Sequence, residues 1–278
     1  MKNYIFSVIV LLSGVLFFSS CEDVIEVELE KGEEALVVEG WLTTKTGPHY
    51  VNLYKTAPYL KTPEYPAIEN ASVTLSDDAG NAELLKEVAP GKYEVATIKG
   101  VVGRTYTLSI NSTAGSYEAV TKLQRLSWPI DSVTYEFKEK SAMNDDAGYY
   151  PAVYGREASG AGDFCRLKIV KNGSLLQSHD DLNLFSDQFV DGNYITAAKP
   201  SIKDPFQKDD QITYEMWSLT EDAYRFWSDL KSQLKNGGLY AVPLNNTRTN
   251  VTKKSAASLN VTGYFGASEV VEFHDQVK

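Results

Sequence analysis

Between residues 35 and 122 apolar and polar side chains alternate with a period of two, and no other feature restricts the possible folds as much. Val73 and Leu75 alternate with Ser72, Thr74 and Ser76, and Tyr106, Leu108 and Ile110 alternate with Thr105, Thr107 and Ser109. Successive strand side chains point to opposite faces, so the pattern specifies strands with one face in a core. It places strands at 35–43, 50–56, 71–76, 82–88, 92–97, 104–110 and 116–122. Turn residues separate them, as in Asp77-Asp78-Ala79-Gly80-Asn81 and Ala89-Pro90-Gly91. Short strands at this spacing suggest an immunoglobulin/fibronectin-like sandwich over 35–125. No Cys pair pins its sheets, which favours the fibronectin-like variety.

The remainder is also strand-rich. Trp128-Pro129 marks a joint, and strands are expected at 132–138, 149–155, 163–170, 174–178, 182–190, 211–219 and 268–274. One helix is expected over about 219–235. Ser218-Leu219-Thr220-Glu221 has the form of a capping box, and Ala223, Trp227, Leu230 and Leu234 form an apolar stripe. Asn236-Gly237-Gly238 supplies the stop. The fold class is mainly β: the first sandwich, then a second β-rich domain over 126–278 whose helix covers its sheet. The 17 Tyr and 11 Phe suit pleated surfaces.

The N-terminus reads as a targeting segment. Met1-Lys2-Asn3 precedes an apolar run from Tyr4 to Phe18, then Ser19-Ser20-Cys21. This is the form of a secretory signal peptide over 1–20, too short for the ~20 residues that span a bilayer. Cys21 after small residues resembles the lipobox of bacterial lipoproteins, with Phe18 where Leu is usual. The expectation is a lipid on Cys21; the competing reading is an ordinary signal peptide. Residues 21–34 form an acidic tether, which also resembles the export signal that sends Bacteroidetes lipoproteins to the cell surface. With 27 Lys and Arg against 37 Asp and Glu, the net charge of −10 excludes nucleic acid as a partner.

Chemistry is sparse. His49, His179 and His274 lack metal-ligand spacing, and there is no Gly-rich phosphate loop or Gly-x-Ser-x-Gly elbow. His179 with Asp180, Asp181 and Asp187 is the strongest catalytic or metal grouping, but a solvated hairpin end accounts for it more simply. Asp187, Asp191 and Asn193 carry calcium-type oxygens. Asp191-Gly192 is read instead as a hairpin turn. No catalytic residue, metal or cofactor is therefore expected. Cys165 reads as a small buried side chain. Asp131-Ser132-Val133 resembles a three-residue O-glycosylation signal at Ser132, though the stretch also begins a strand.

Several segments together resemble one family. Val37-Val38-Glu39-Gly40-Trp41-Leu42-Thr43 is followed by Gly47-Pro48-His49-Tyr50-Val51-Asn52-Leu53 and Ala57-Pro58-Tyr59. Tyr224-Arg225-Phe226-Trp227 and Gly263-Tyr264-Phe265-Gly266-Ala267 complete the set. They are similar to the Bacteroidetes lipoprotein family catalogued as domain of unknown function number four-two-four-nine. The resemblance implies an outer-membrane lipoprotein encoded beside a TonB-dependent receptor, and transfers no catalytic residue. The expected function is a non-enzymatic surface accessory, for ligand capture or as a lid, of a TonB-dependent (SusC-like) transporter. A structural or adhesin-like envelope role and an unrecognised hydrolase are the alternatives. Aromatics outside the strand pattern, Tyr59, Tyr65, Tyr149, Tyr150 and Phe206, are the expected partner contacts.

Overall fold

The alternation over residues 35–122 builds two sheets on one core. The computed structural model describes residues 33–57, 65–141, 146–236, 246–255 and 258–278. Strands β1 (Ala35–Thr43), β2 (His49–Lys55), β6 (Lys92–Val95) and β5 (Lys86–Ala89) lie side by side in that order. The facing sheet runs β4 (Ala82–Leu84), β3 (Ser72–Asp77), β7 (Thr105–Ser112) and β8 (Gly115–Lys122). These are the two strand orders of an immunoglobulin-like sandwich. Inward positions such as Leu36, Val38, Val51, Leu53, Val73, Leu75, Leu108 and Ile110 fill the core. The strand expected over 82–88 is two strands in different sheets. The chain changes sheet at buried Leu85, whose N–H donates to the Val73 carbonyl at 2.8 Å.

A second sandwich follows. Its smaller sheet holds β14 (Tyr194–Ala198), β10 (Gly148–Arg156) and β9 (Ser132–Lys138). The other runs β12 (Ser174–Leu175), β11 (Phe164–Lys171), β15 (Gln211–Leu219) and β18 (Val270–Gln276), with β13 (Asn183–Ser186) also paired to β11. Trp128, Val153, Leu167, Ile169, Phe206, Tyr214 and Met216 are buried between them. The strands expected over 174–178 and 182–190 shrink to β12 and β13: a 3₁₀ turn at His179–Asp181 lies between them, and a turn over 188–192 follows β13.

The division expected at 125/126 assigned everything beyond it to the second domain, and this needs correction. The chain returns to the first sandwich. Strand β16 (Val251–Lys253) pairs with β8, and β17 (Asn260–Ser268) pairs with β1, bringing each sheet to five strands. The β1–β17 pairing is parallel and unbroken from Ala35↔Asn260 to Thr43↔Ser268. An exposed β1 edge would leave a row of unpaired N–H and C=O groups, which β17 satisfies. Gly263 is required here: it sits at φ +90°, and a Cβ would meet the Val38 carbonyl oxygen at 2.1 Å. Glu269 alone separates β17 from β18, so one residue carries the chain from the first sandwich into the second.

Two fully buried serines lock that crossing. Ser268 Oγ donates to the Ser218 carbonyl at 2.6 Å and accepts from Trp41 Nε1 at 2.8 Å. Ser218 Oγ donates to the Gln124 carbonyl at 2.7 Å and accepts from the Glu269 N–H at 2.8 Å. Ser218 therefore does not open the helix as the capping-box reading expected. Helix α1 (Glu221–Lys235) is capped by Thr220, whose hydroxyl accepts from the Ala223 N–H at 3.2 Å. The buried face of α1 is also displaced from the expected stripe: Ala223 and Phe226 are buried, Trp227 and Leu230 half-buried, and Leu234 is exposed. The cause is that α1 packs on β17 as well as on β11 and β15, so it caps both sandwiches rather than one sheet.

Two outcomes follow from this crossing. A fragment ending at Arg125 lacks β16 and β17 and is expected to be digested rapidly in limited proteolysis, whereas residues 33–278 resist. Ser268→Ala leaves the Trp41 indole N–H without its acceptor and is expected to lower the unfolding free energy by about 1–3 kcal/mol in urea titrations.

Candidate functional site

The outward residues of β1, β2 and β17 and of β11 and β15 face one another beneath α1. Strand alternation assigns them: where Leu36 and Val38 enter the first core, Val37, Glu39 and Trp41 point the other way. Where Cys165, Leu167 and Ile169 enter the second core, Arg166 and Lys168 point the other way. The space between has a volume of about 540 Å³, within the range of small-molecule sites. Trp41 is its central wall, with ring centroids 5.7 Å from Trp227, 6.0 Å from Tyr264 and 6.4 Å from Trp217. Gly266 makes room for that wall, since a Cβ there would lie 2.5 Å from the Trp41 ring.

Among the described residues neither Arg166 nor Lys168 forms an ion pair. The Arg166 guanidinium lies 3.8 Å from the Trp227 ring centroid, and Lys168 Nζ lies 3.4 Å from that of Trp217. Cation–π contact of this kind offsets part of the desolvation. Glu215 is the carboxylate acting on Lys168, yet its oxygens accept from Lys45 Nζ at 2.6 Å and Trp217 Nε1 at 2.9 Å. Lys45 also pairs with Glu272. Burial works against the Glu215 charge, but its hydrogen bonds to Lys45 and Trp217 hold the carboxyl below its ordinary value. Burial, and then the charge of Arg166, push the Lys168 ammonium down to about 7. Burial alone lowers Arg166 to about 10, so it stays charged at neutral pH. Two donors in the same walls, Arg166 Nε and Trp227 Nε1, are buried with no hydrogen-bond partner among the described residues. Buried donors of this sort are rare in folded proteins and demand an acceptor. The pocket can therefore take an acceptor-rich anion with a flat apolar face against the indoles.

The residues singled out from sequence fare unequally. Phe206 is fully buried and is not available to a partner; its backbone exchanges hydrogen bonds with Tyr149 at 2.9 and 3.0 Å. The Pro205 position broke the strand pattern, but the ring still turns inward beside Tyr135. Tyr149 is half-buried against Phe137, and Tyr150 is half-buried with its hydroxyl donating to the Asp146 carbonyl at 3.1 Å. Tyr65 is 56% exposed beside Tyr54, whereas Tyr59 and Cys21 lie outside the described residues. Ser132 is exposed at the start of β9 and donates to Asp131 Oδ1 at 3.1 Å. The expected His179 grouping does not assemble. His179 meets Asp180, Asp181 caps the 3₁₀ turn, and Asp187 accepts from the Gly162 and Asp163 N–H groups instead. Sequence reading missed Arg166 and Lys168, whose only signal was a pair of cations at successive outward positions of a strand. It also missed Phe189, which is 87% exposed on a turn.

The geometry defines a class: two β-sandwiches joined by a shared C-terminal strand pair, with an aromatic, cation-bearing pocket at the join. The chain matches the family described as Domain of unknown function (DUF4249) over residues 22–274, and it belongs to that family. No curated protein matches it. Of the segments that carry the family resemblance, those in β1, β2, α1 and β17 contribute walls to this pocket, while Pro58 and Tyr59 lie outside the described residues. Among the described residues no helix is long and apolar enough to cross a membrane.

Replacing Lys168 by Met is expected to stabilise the protein below about pH 7, where the native state carries the full penalty of a buried, unpaired ammonium. The folded value lies below the unfolded one, so wild-type stability rises with pH from about 7 toward the ordinary lysine value of about 10.4. Unfolding free energies measured across that range should lose this slope in Lys168→Met.

Proposed function

We propose that the protein is a lipid-anchored, surface-exposed outer-membrane protein that captures a ligand for a TonB-dependent transporter and catalyses no reaction. The observation that carries the capture reading is the set of unmatched donors and cations in the aromatic pocket. A site with two buried donors and two cations lacking acceptors is built for something brought from outside. The ligand it suits is a carboxylate, phosphate or sulfate joined to a flat ring, stacked on Trp41 and Trp227 and held by Arg166 and Lys168. Among the described residues no serine or cysteine lines the pocket; its acid–base groups are Glu39, Lys168 and His49, whose ring burial lowers its value. The lipid on Cys21 and the acidic tether support a partner in the same membrane, since a shared surface raises effective concentration. Exposed Tyr65 and Phe189 offer aromatic contact area for it.

Calorimetry with naphthalene-2-sulfonate, against uncharged naphthalene-2-methanol, tests the pocket. The sulfonate is expected to bind, and Arg166→Met or Lys168→Met to weaken it about 10–100-fold, the loss of one charge-assisted hydrogen bond. Affinity should fall by up to tenfold per pH unit above about pH 7 as free Lys168 deprotonates, and lose that dependence in Lys168→Met. Equal binding of both probes sinks the anion assignment. For the partner, the native protein is purified from its own outer membrane and what accompanies it is identified. A transporter should co-purify, and Cys21→Ala should release the protein from the membrane. If no transporter accompanies the intact protein, an adhesin-like role replaces this reading.

A further inference from the structure

Two connections between the sheets of the second sandwich meet in one acidic corner, away from the aromatic pocket. Residues 157–163 link β10 to β11, and residues 187–193 link β13 to β14. From these loops Glu157, Asp187 and Asp191 each bring a carboxylate oxygen to within 4.8 Å of the other two. Backbone donors orient all three. Gly192 donates to Glu157 Oε2 at 2.6 Å, and Gly160 donates to Asp191 Oδ1 at 2.8 Å. Gly162 and Asp163 donate to Asp187 Oδ2 at 2.8 and 3.0 Å. Glu157 is only 2% exposed, and its Oε1 is buried with no hydrogen-bond partner among the described residues. A carboxylate oxygen taken from water without a donor is costly, and three carboxylates crowded together add repulsion. Arg125 is engaged by Asp163 at 2.7 Å, and no Lys or Arg among the described residues pairs with the three.

We propose that Glu157, Asp187 and Asp191 bind a divalent cation of the Ca²⁺ type, which ties the two crossing loops together. The donor set is all oxygen, as hard cations require. Ca²⁺–oxygen distances of about 2.3–2.6 Å let oxygens on opposite sides of one ion stand about 5 Å apart, which accommodates this cluster. Irregular loops suit the adaptable shell of Ca²⁺ better than the strict octahedron of Mg²⁺, and water completes the coordination. The ion gives the orphaned Glu157 oxygen a partner and cancels the repulsion. Of the calcium-type residues expected from sequence, Asn193 is not among the three clustered carboxylates, and its side-chain amide donates to the Asp191 carbonyl at 3.2 Å. Its place is taken by Glu157, which lies on another loop and which no local spacing reveals.

The test uses the full mature chain stripped with EDTA and scanned by calorimetry with CaCl₂ or MgCl₂. Ca²⁺ at about a hundredfold excess over its Kd is expected to raise the melting temperature by roughly 5–10 °C, saturably, and Mg²⁺ by much less. Glu157→Gln and Asp191→Asn should each abolish the response. Asp191 is exposed, so Asp191→Asn keeps the test decisive if Glu157→Gln fails to fold. Three results overturn the proposal. In one, the wild type ignores Ca²⁺ while Glu157→Gln matches it in EDTA, so that Glu157 merely holds a proton. In another, the Ca²⁺ shift survives both substitutions and is the general response of an acidic chain. In the last, Mg²⁺ stabilises as well as Ca²⁺.

Discussion

Everything distinctive about this molecule depends on the hydrogen bonds that fasten Ser268 and Glu269 to Ser218. There the chain leaves a sheet of the first sandwich and, one residue later, enters a sheet of the second. A free joint would let two sandwiches tumble, since interfaces within a chain are commonly small and polar. Here the joint is made of strands continuous with both sheets, and its polar atoms pair with Trp41, Gln124 and Glu269. Buried polar groups in a fully satisfied network specify one arrangement, because any shift leaves several of them unpaired at once. Trp41 thus has two roles: its indole N–H is part of the joint and its ring is the wall of the pocket.

Stability and function pull in opposite directions across this region. Both cores are filled by apolar side chains, while the outward faces of β1, β11 and β15 carry indoles, a guanidinium and an ammonium that are partly removed from water. Burying Arg166 and Lys168 without dedicated carboxylates costs free energy that apolar residues there would not. Their stacking on Trp227 and Trp217 recovers a fraction of it. A chain with net charge −10 thus holds two buried cations at one place. The acidic corner at Glu157 is the complementary case, negative charge gathered without a cation.

The β1–β17 pairing also bears on how the chain folds. Its partners lie at opposite ends of the described chain, so loop-closure entropy must be overcome before that contact forms. The hairpins β7–β8 and β11–β15 join nearer neighbours. The pocket walls that come from β17 and α1 are therefore completed only when the C-terminal strands have docked.

By itself the sequence determined the β class, most strand positions, and the expectation of an immunoglobulin-like sandwich over the first of the two domains. Period-two alternation and turn residues are local, and local patterns survive being read one segment at a time. It also determined that Cys165 is buried and that one helix lies near 219–235, although Thr220 rather than Ser218 caps it. Pairing was another matter. Nothing in residues 260–268 says that they lie parallel to β1, because alternation records which face is buried and not which edge is joined. Phe206 shows the same limit: a ring beside a proline reads as exposed until a neighbouring strand covers it. The pocket and the carboxylate cluster are assembled from loops and outward strand positions far apart in the chain. Taken alone, Arg166, Lys168, Glu157 and Asp187 are ordinary surface residues, and only the tertiary structure removes the water from around them.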